Sequence, residues 1–142
     1  MEAFIVHDET REIIRIGKEL QKSGFVVKSC KDQDRAARHV RENQIDLLVL
    51  KQEIRGRHTT GVALAAEFHN PSVSTILLSV RSRADVVEQF DLVPSIGAIL
   101  PAKPDATFLG RIAQQVKQDQ AHETLVLSPL NRAFPILNRR VA

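Results

Sequence analysis

The chain has 142 residues, which fits one domain able to bury roughly two-thirds of its unfolded surface. Its 20 Lys and Arg are interleaved with 17 Asp and Glu, so no basic stripe for nucleic acid is visible, and Arg132, Arg139 and Arg140 are the only local excess. With one cysteine, Cys30, no apolar run near the roughly 20 residues of a membrane span and no basic leader, the sequence predicts a soluble, cytoplasmic protein.

Five apolar runs alternate with five helical patterns along the chain. The runs predict buried strands at residues 3–6, 25–27, 47–50, 74–80 and 96–100. Apolar residues three and four apart, with capping and breaking residues around them, predict helices at residues 10–22, 32–42 (with Asp32 or Asp34 as the first residue), 62–68, 83–90 and 107–118. Residues 56–60 are predicted as a polar loop. Thr10 is the expected cap of the first helix.

The third run, residues 47–50, is the centre of the predicted sheet. It shows no alternation of polar and apolar residues, so both faces should be covered, as in the middle of a parallel sheet. Lys51 and Glu53 follow on one face and Gln52 on the other, at the edge where open α/β sheets carry functional groups. The pattern predicts an α/β fold with a five-stranded parallel sheet, doubly wound as (βα)5.

The pattern changes after residue 118. We predict one domain over residues 1–118 and a C-terminal extension over residues 119–142. The extension contains prolines but is too apolar for a solvated tail. Three alternatives stay open: it packs on its own domain, it covers a partner, or it begins a truncated output region.

Catalytic and cofactor motifs are missing. His58, His69, His122 and Cys30 lack metal-ligand spacing, so no metal is expected. The chain has no P-loop, no dinucleotide fingerprint after the first strand and no nucleophile elbow around a serine. We therefore expect a protein that is not an enzyme, has no cofactor and does not act at a membrane.

The order of elements and the residues at the strand ends resemble a response-regulator receiver domain (CheY-like) over about residues 1–118. That family has an acidic pair after the first strand, a Thr or Ser after the fourth and a Lys-Pro pair after the fifth. The corresponding residues are His7-Asp8, Ser79 and Lys103-Pro104. The resemblance implies a flavodoxin-like fold and a role in bacterial two-component signal transduction.

The sequence departs from the family along one mechanism. In the family's D-L-x-x-x-D motif, which begins here at Asp46, Lys51 replaces the phospho-accepting aspartate. His7 replaces one acid of the pair and leaves Asp8 alone, and Leu100 stands at the aromatic switch position. An ammonium can neither attack phosphorus nor bind a divalent cation. These departures predict a degenerate receiver, or pseudo-receiver, that does not accept a phosphoryl group.

The predicted pocket retains several polar residues. Lys51 is expected to neutralise Asp8 as an ion pair, with a signalling role as the alternative, and Lys103 to hold Asp8 or a backbone carbonyl. His7 is either a pH-responsive partner of a nearby glutamate, Glu9 or Glu53, or a polar residue at the mouth of a loop. The full set is His7, Asp8, Lys51, Glu53, Ser79, Lys103 and Pro104.

The leading functional hypothesis is a non-phosphorylatable receiver-like domain that acts through protein–protein interaction, either by dimerising or by controlling an output domain. Two alternatives stay open: the N-terminal regulatory domain of a DNA-binding transcription regulator, with no nucleic-acid contact within this chain, and an anion or small-ligand sensor that uses Lys51 and Lys103. The resemblance implies a partner surface on the fourth helix, fifth strand and fifth helix, with the residues Arg83, Asp85, Glu88, Gln89, Arg111 and Gln115.

Overall fold

Five parallel strands and a short hairpin, flanked by helices, make up the computed structural model, which describes residues 1–79 and 92–121. In chain order the elements are β1 (Glu2–Val6), α1 (Thr10–Lys22), β2 (Val26–Cys30), α2 (Gln33–Glu42), β3 (Leu47–Lys51), β4 (Glu53–Ile54), β5 (Arg57–His58), α3 (Thr60–His69), β6 (Ser74–Ser79), β7 (Ile96–Pro101) and α4 (Ala106–Ala121).

The main sheet has the order β2-β1-β3-β6-β7, with every neighbouring pair parallel. This is the flavodoxin-like order, in which the direction of winding reverses beside β1. Val6 is in register with Leu50, and Lys51 with Leu78, so the carboxyl ends of β1, β3 and β6 lie side by side. The predicted five-stranded parallel sheet is confirmed.

The apolar residues of β3 divide between two cores because successive strand residues point to opposite faces. Leu47 and Val49 pack in the core formed with α1 and α4, and Leu48 and Leu50 pack in the core formed with α2 and α3. All four side chains are fully buried. Both faces of β3 are therefore covered, as the absence of alternation predicted.

The helix caps differ in part from the sequence expectation. Asp32 caps α2, because its Oδ2 accepts a hydrogen bond from the Arg35 backbone N–H at 3.0 Å. Thr10, the predicted cap of α1, is instead its first residue, and the N-cap is Glu9, whose side chain makes no capping hydrogen bond. The backbone of Glu9 is extended, so the helical conformation begins at Thr10.

The predicted polar loop at residues 56–60 is wrong. Residues 53–58 form an antiparallel hairpin, with Glu53 in register with His58. Arg55 has a φ of 53° and Gly56 a φ of 76°, the positive values that a two-residue type I′ turn requires at both central positions. Thr60 already begins α3.

Several sequence predictions lie outside the described residues. These are the predicted helix at residues 83–90 and nearly all of the C-terminal extension. Helix α4 continues to Ala121, three residues past the predicted domain boundary at 118. Within the described ranges, no helix is long and apolar enough to span a bilayer.

Candidate functional site

The candidate site lies where β1, β3 and β6 end. Asp8 follows β1, Lys51 is the last residue of β3 and Ser79 is the last residue of β6. Since these strands are neighbours in the sheet, their terminal side chains meet at one edge. The sheet order alone therefore brings together three of the predicted pocket residues.

Lys51 and Asp8 form an ion pair. The Lys51 Nζ donates a hydrogen bond to the Asp8 Oδ1 at 2.9 Å, and the side chains are 22% and 27% exposed. Burial raises the pKa of Asp8, but the hydrogen bond and the charge of Lys51 outweigh burial, and the pKa is lowered overall. Asp8 is therefore ionised near neutral pH, and its negative charge faces the ammonium.

His7 is a buried, neutral imidazole. Its side chain is 1% exposed, and its Nδ1 accepts a hydrogen bond from the Glu9 backbone N–H at 3.0 Å, so its proton resides on Nε2. Burial lowers its pKa, the charge of Lys51 lowers it further, and the carboxylates of Asp8, Glu9 and Glu12 only partly oppose this. The 3.4 Å approach of Nδ1 to Asp8 is therefore not an ion pair near neutral pH.

This arrangement differs from both expectations for His7. The ring contacts the backbone of Glu9 rather than a glutamate carboxylate, and it is enclosed rather than exposed at the mouth of a loop. Its Nε2 is buried without a hydrogen-bond partner among the described residues. His7 directly follows β1, whose last four residues are all buried.

Gln52 is a buried polar residue that the sequence prediction omitted from the pocket. Its Oε1 accepts a hydrogen bond from the Ser79 Oγ, and its backbone N–H donates to the Leu78 carbonyl at 2.8 Å. The single hydroxyl proton of Thr59 is shared between the carbonyl oxygens of Lys51 and Gln52, which lie 2.7 and 3.0 Å from its Oγ1. These bonds fix the chain that follows β3 and engage the hydroxyl at the end of β6.

Glu12 is the second residue that sequence reasoning missed. It is buried in the first turn of α1, where Arg15 donates to its carboxylate from both Nε, at 3.2 Å, and Nη2. The Arg15 hydrogen bond lowers the pKa of Glu12 more than burial raises it. The three-residue spacing of an acid and an arginine on a helix was the available signal.

Lys103 lies elsewhere than predicted. Its Nζ is 4.0 Å from the Glu9 Oε2, with the two side chains 72% and 44% exposed, so the expectation that it holds Asp8 or a backbone carbonyl is wrong. Two exposed side chains at this distance form only a weak ion pair in water. Pro104 and Leu100 are buried, and the bond between Lys103 and Pro104 is trans.

Glu53 extends into β4, where its Oε1 lies 3.7 Å from the His58 Nε2. The hairpin thus gives Glu53 a neighbour that the strand-alternation argument did not include. Of the predicted pocket residues, His7, Asp8 and Lys51 form one contact cluster, and Ser79 joins the Gln52 network beside it.

The donor set does not fit the divalent cation that the receiver resemblance implies. Magnesium needs several oxygen ligands, and Asp8 is the carboxylate that remains of the acidic pair. Its Oδ1 is occupied by the ammonium of Lys51, and the neighbouring imidazole is a poor magnesium ligand. In the described part of the chain, no group of three or more His, Cys, Asp or Glu residues is arranged to hold a metal ion.

Comparisons with solved structures identify the fold. A CheY-like receiver domain from Methanospirillum hungatei matches with a TM-score of 0.76 at 15% identity, over 86% of this chain and 97% of the other. The N-terminal domain of a response regulator/sensory box/GGDEF protein from Carboxydothermus hydrogenoformans gives 0.74 at 19%, over 87% and 99%.

A third structure, the response regulator TrrA from Thermotoga maritima in complex with Mg2+-BeF, gives 0.66 at 19% identity, over 81% of this chain and 97% of the other. No protein-family model matches the sequence, and no curated protein matches it either. The fold is that of CheY-like response-regulator receiver domains.

A double-mutant cycle tests the coupling of Lys51 and Asp8. Lys51→Met leaves the Asp8 carboxylate without its counter-charge. We expect the free energy of unfolding at neutral pH to fall by roughly 1 to 3 kcal/mol. The loss is smaller than for a fully buried ion pair because water reaches the Asp8 carboxylate. Asp8→Asn in the same chain should recover much of this loss. Urea denaturation of the four proteins measures the coupling, and strictly additive effects would contradict it.

The lowered pKa of Asp8 also predicts how the result of this double-mutant cycle depends on pH. Because folding lowers the pKa of Asp8, its contribution is present above its ordinary value of 3.8 and is lost as the pH falls through the folded pKa. The difference between the native chain and Lys51→Met should therefore shrink in acid. Lys18→Met, an exposed lysine on α1, is the control and should change stability by less than about 0.5 kcal/mol at any pH.

A second prediction concerns His7. Its pKa is lower in the folded protein, so the unfolded chain gains a proton at this position below about pH 6.5 while the folded chain does not, and stability falls as the pH drops toward the folded pKa. His7→Asn, whose side chain can still accept from Glu9, should show a smaller fall. His39, whose pKa is also lowered, accounts for part of the remaining slope. Equal pH dependence of unfolding in both proteins would contradict this assignment.

Proposed function

We propose that this chain is a receiver-like signalling domain that does not accept a phosphoryl group and that acts by binding a protein partner. The observation that carries the proposal is Lys51, which ends β3 at the position of the phospho-accepting aspartate and is hydrogen-bonded to Asp8. The fold is consistent with two-component signalling, since the similar domain from Carboxydothermus hydrogenoformans is one part of a response regulator/sensory box/GGDEF protein.

Phosphoryl transfer to a receiver needs a carboxylate nucleophile and a cation that neutralises the charge on the phosphoryl oxygens. A protonated lysine has no lone pair with which to attack phosphorus. The Lys51 ammonium is hydrogen-bonded to the Asp8 carboxylate at 2.9 Å, so its donors already face a carboxylate. The same pair removes the remaining acid from cation binding.

A pocket with a permanent internal counter-charge supports a binding role rather than a phosphorylation switch. The proposed partner surface includes α4, where Arg111 is exposed and Gln115 is half-buried. Its other predicted members, Arg83, Asp85, Glu88 and Gln89, lie outside the described residues. The partner is either a second copy of this chain or an output domain.

An anion sensor at the pocket has less support. The Lys51 ammonium already faces Asp8, and the Lys103 ammonium lies nearest to Glu9. An incoming anion would have to displace a carboxylate from the first and would find the second almost fully solvated. The two lysines therefore do not form a common anion site.

The phosphorylation part of the proposal predicts no reaction with a small phosphodonor. After incubation with phosphoramidate and Mg2+, the intact mass of the native chain should be unchanged, because no carboxylate stands at position 51. An acid-labile mass increase of one phosphoryl group, mapped to a residue of this pocket, would refute the proposal. The variant His7→Asp with Lys51→Asp, which restores the carboxylates of the family pattern, is expected to gain Mg2+-dependent thermal stabilisation that the native chain lacks.

The binding part of the proposal predicts that charge reversal on α4 changes association. If the partner is a second copy, Arg111→Glu should weaken self-association at least tenfold in sedimentation equilibrium. Reversing the charge at position 111 would replace an attraction across the interface with a repulsion. Arg11→Glu, an exposed arginine on α1, is the matched control and should have no effect. Self-association that is equally reduced by both changes would exclude this face of α4.

A further inference from the structure

A groove separates the edge strand β2 from the helix α2. It has a volume of about 410 Å³ and is lined by Phe4, Lys28, Ser29, Cys30, Arg35 and His39. Small-molecule sites in proteins typically occupy roughly 300 to 1,000 Å³. The groove lies on the α2 side of the sheet and shares no lining residue with the Lys51–Asp8 pair.

The sequence positions the groove residues from two elements. Lys28 is in register with Phe4 across the parallel pair β1–β2, so both side chains point to the α2 side of the sheet. Arg35 and His39 are four residues apart on α2 and therefore lie on one face of the helix. The His39 ring stacks on the Phe4 ring, with 4.2 Å between centroids and 27° between planes, and forms an aromatic floor.

His39 is held as a hydrogen-bond donor. The Asn43 Nδ2 donates to the His39 Nδ1 at 3.2 Å and to the His39 carbonyl at 3.0 Å, which leaves the imidazole proton on Nε2. Burial lowers the pKa of His39 and the charge of Lys28 lowers it further, against smaller opposing effects of Glu42 and Glu2. The ring is therefore neutral and a donor near pH 7.

The groove has uncompensated positive charge. No carboxylate is among its lining residues, and neither the Lys28 ammonium nor the Arg35 guanidinium makes a hydrogen bond or ion pair with another described residue. This contrasts with the pocket at the strand ends, where Lys51 and Lys103 each lie nearest to a carboxylate. Glu2 and Glu42 do not line the groove, but their charges act on His39 from nearby.

We propose that this groove binds a phosphate monoester, with the phosphate between Lys28 and Arg35 and the organic group against the stacked rings of Phe4 and His39. Two full positive charges and a neutral donor match the charge of a dianion. The guanidinium fork of Arg35 suits two phosphate oxygens, and Lys28 provides a point charge. This inference goes beyond the proposed partner binding and does not depend on it.

The test is a titration of the full chain with phenyl phosphate, followed by NMR at constant ionic strength. We expect saturable shifts of amide signals in β2 and at the start of α2, and a rise in the pKa of His39 at saturation, because a nearby anion favours the imidazolium. Lys28→Gln with Arg35→Gln should weaken binding at least tenfold. The control is Lys18→Gln with Arg11→Gln, which removes two exposed cations from α1 and should leave the affinity unchanged.

Inorganic phosphate in a parallel titration separates two sources of the same chemistry. Tighter binding of phenyl phosphate supports an organic monoester, and equal binding shows that the groove recognises free phosphate and overturns the role given to the aromatic floor. Equal weakening by the groove and control variants, or a His39 pKa that does not change at saturation, overturns the site itself. The amide spectrum of each variant outside the groove verifies that it is folded.

Discussion

The ion pair between Lys51 and Asp8 is the interaction on which the chemistry of this fold depends. The parallel order of β1 and β3 brings the two side chains to one edge of the sheet, where a carboxylate alone would be partly desolvated and unopposed. In receiver domains a bound cation supplies this opposing charge, whereas in this chain the ammonium of Lys51 supplies it. Since a partly buried pair contributes little net stability, its main effect is to determine which charges the pocket can accept.

The polar groups around the pair are fixed by the chain that leaves β3. Thr59 binds the carbonyls of Lys51 and Gln52, and Gln52 binds Ser79, so the hydroxyl at the end of β6 is engaged within the protein. The hairpin of β4 and β5 makes these bonds possible because it returns the chain to Thr59 at the start of α3. Local backbone geometry thus decides which groups at the strand ends remain available to a ligand.

The number and direction of the strands in the main sheet were predictable from the sequence. The placement of side chains at the site was predictable only in part. The unbroken apolar run of β3 indicates cover on both faces, which is typical of a central strand in a parallel sheet, with Lys51 at the carboxyl end of that strand. The hairpin was missed because its turn uses Arg55-Gly56, and arginine is not a usual residue at a position of positive φ. Lys103 was misplaced because strand order locates a Cα atom but not the end of a long, exposed side chain. His7 is buried because it directly follows the buried residues of β1. The pattern of apolar residues along the sequence does not show whether the polar residue after a strand is covered.

In the proposed role of this domain, the Lys51–Asp8 pair keeps its two charges opposed to each other in every state. Ligands shift an equilibrium between two states only through differential affinity for them, and an ammonium that stays paired in both states supplies none. A ligand that acts on this domain would therefore make its contacts elsewhere on the surface. The proposed phosphate groove at Lys28 and Arg35 is one such place, and its aromatic floor contains Phe4 of β1, the strand that leads directly to His7 and Asp8. A ligand in the groove would therefore contact the strand that leads to the paired carboxylate.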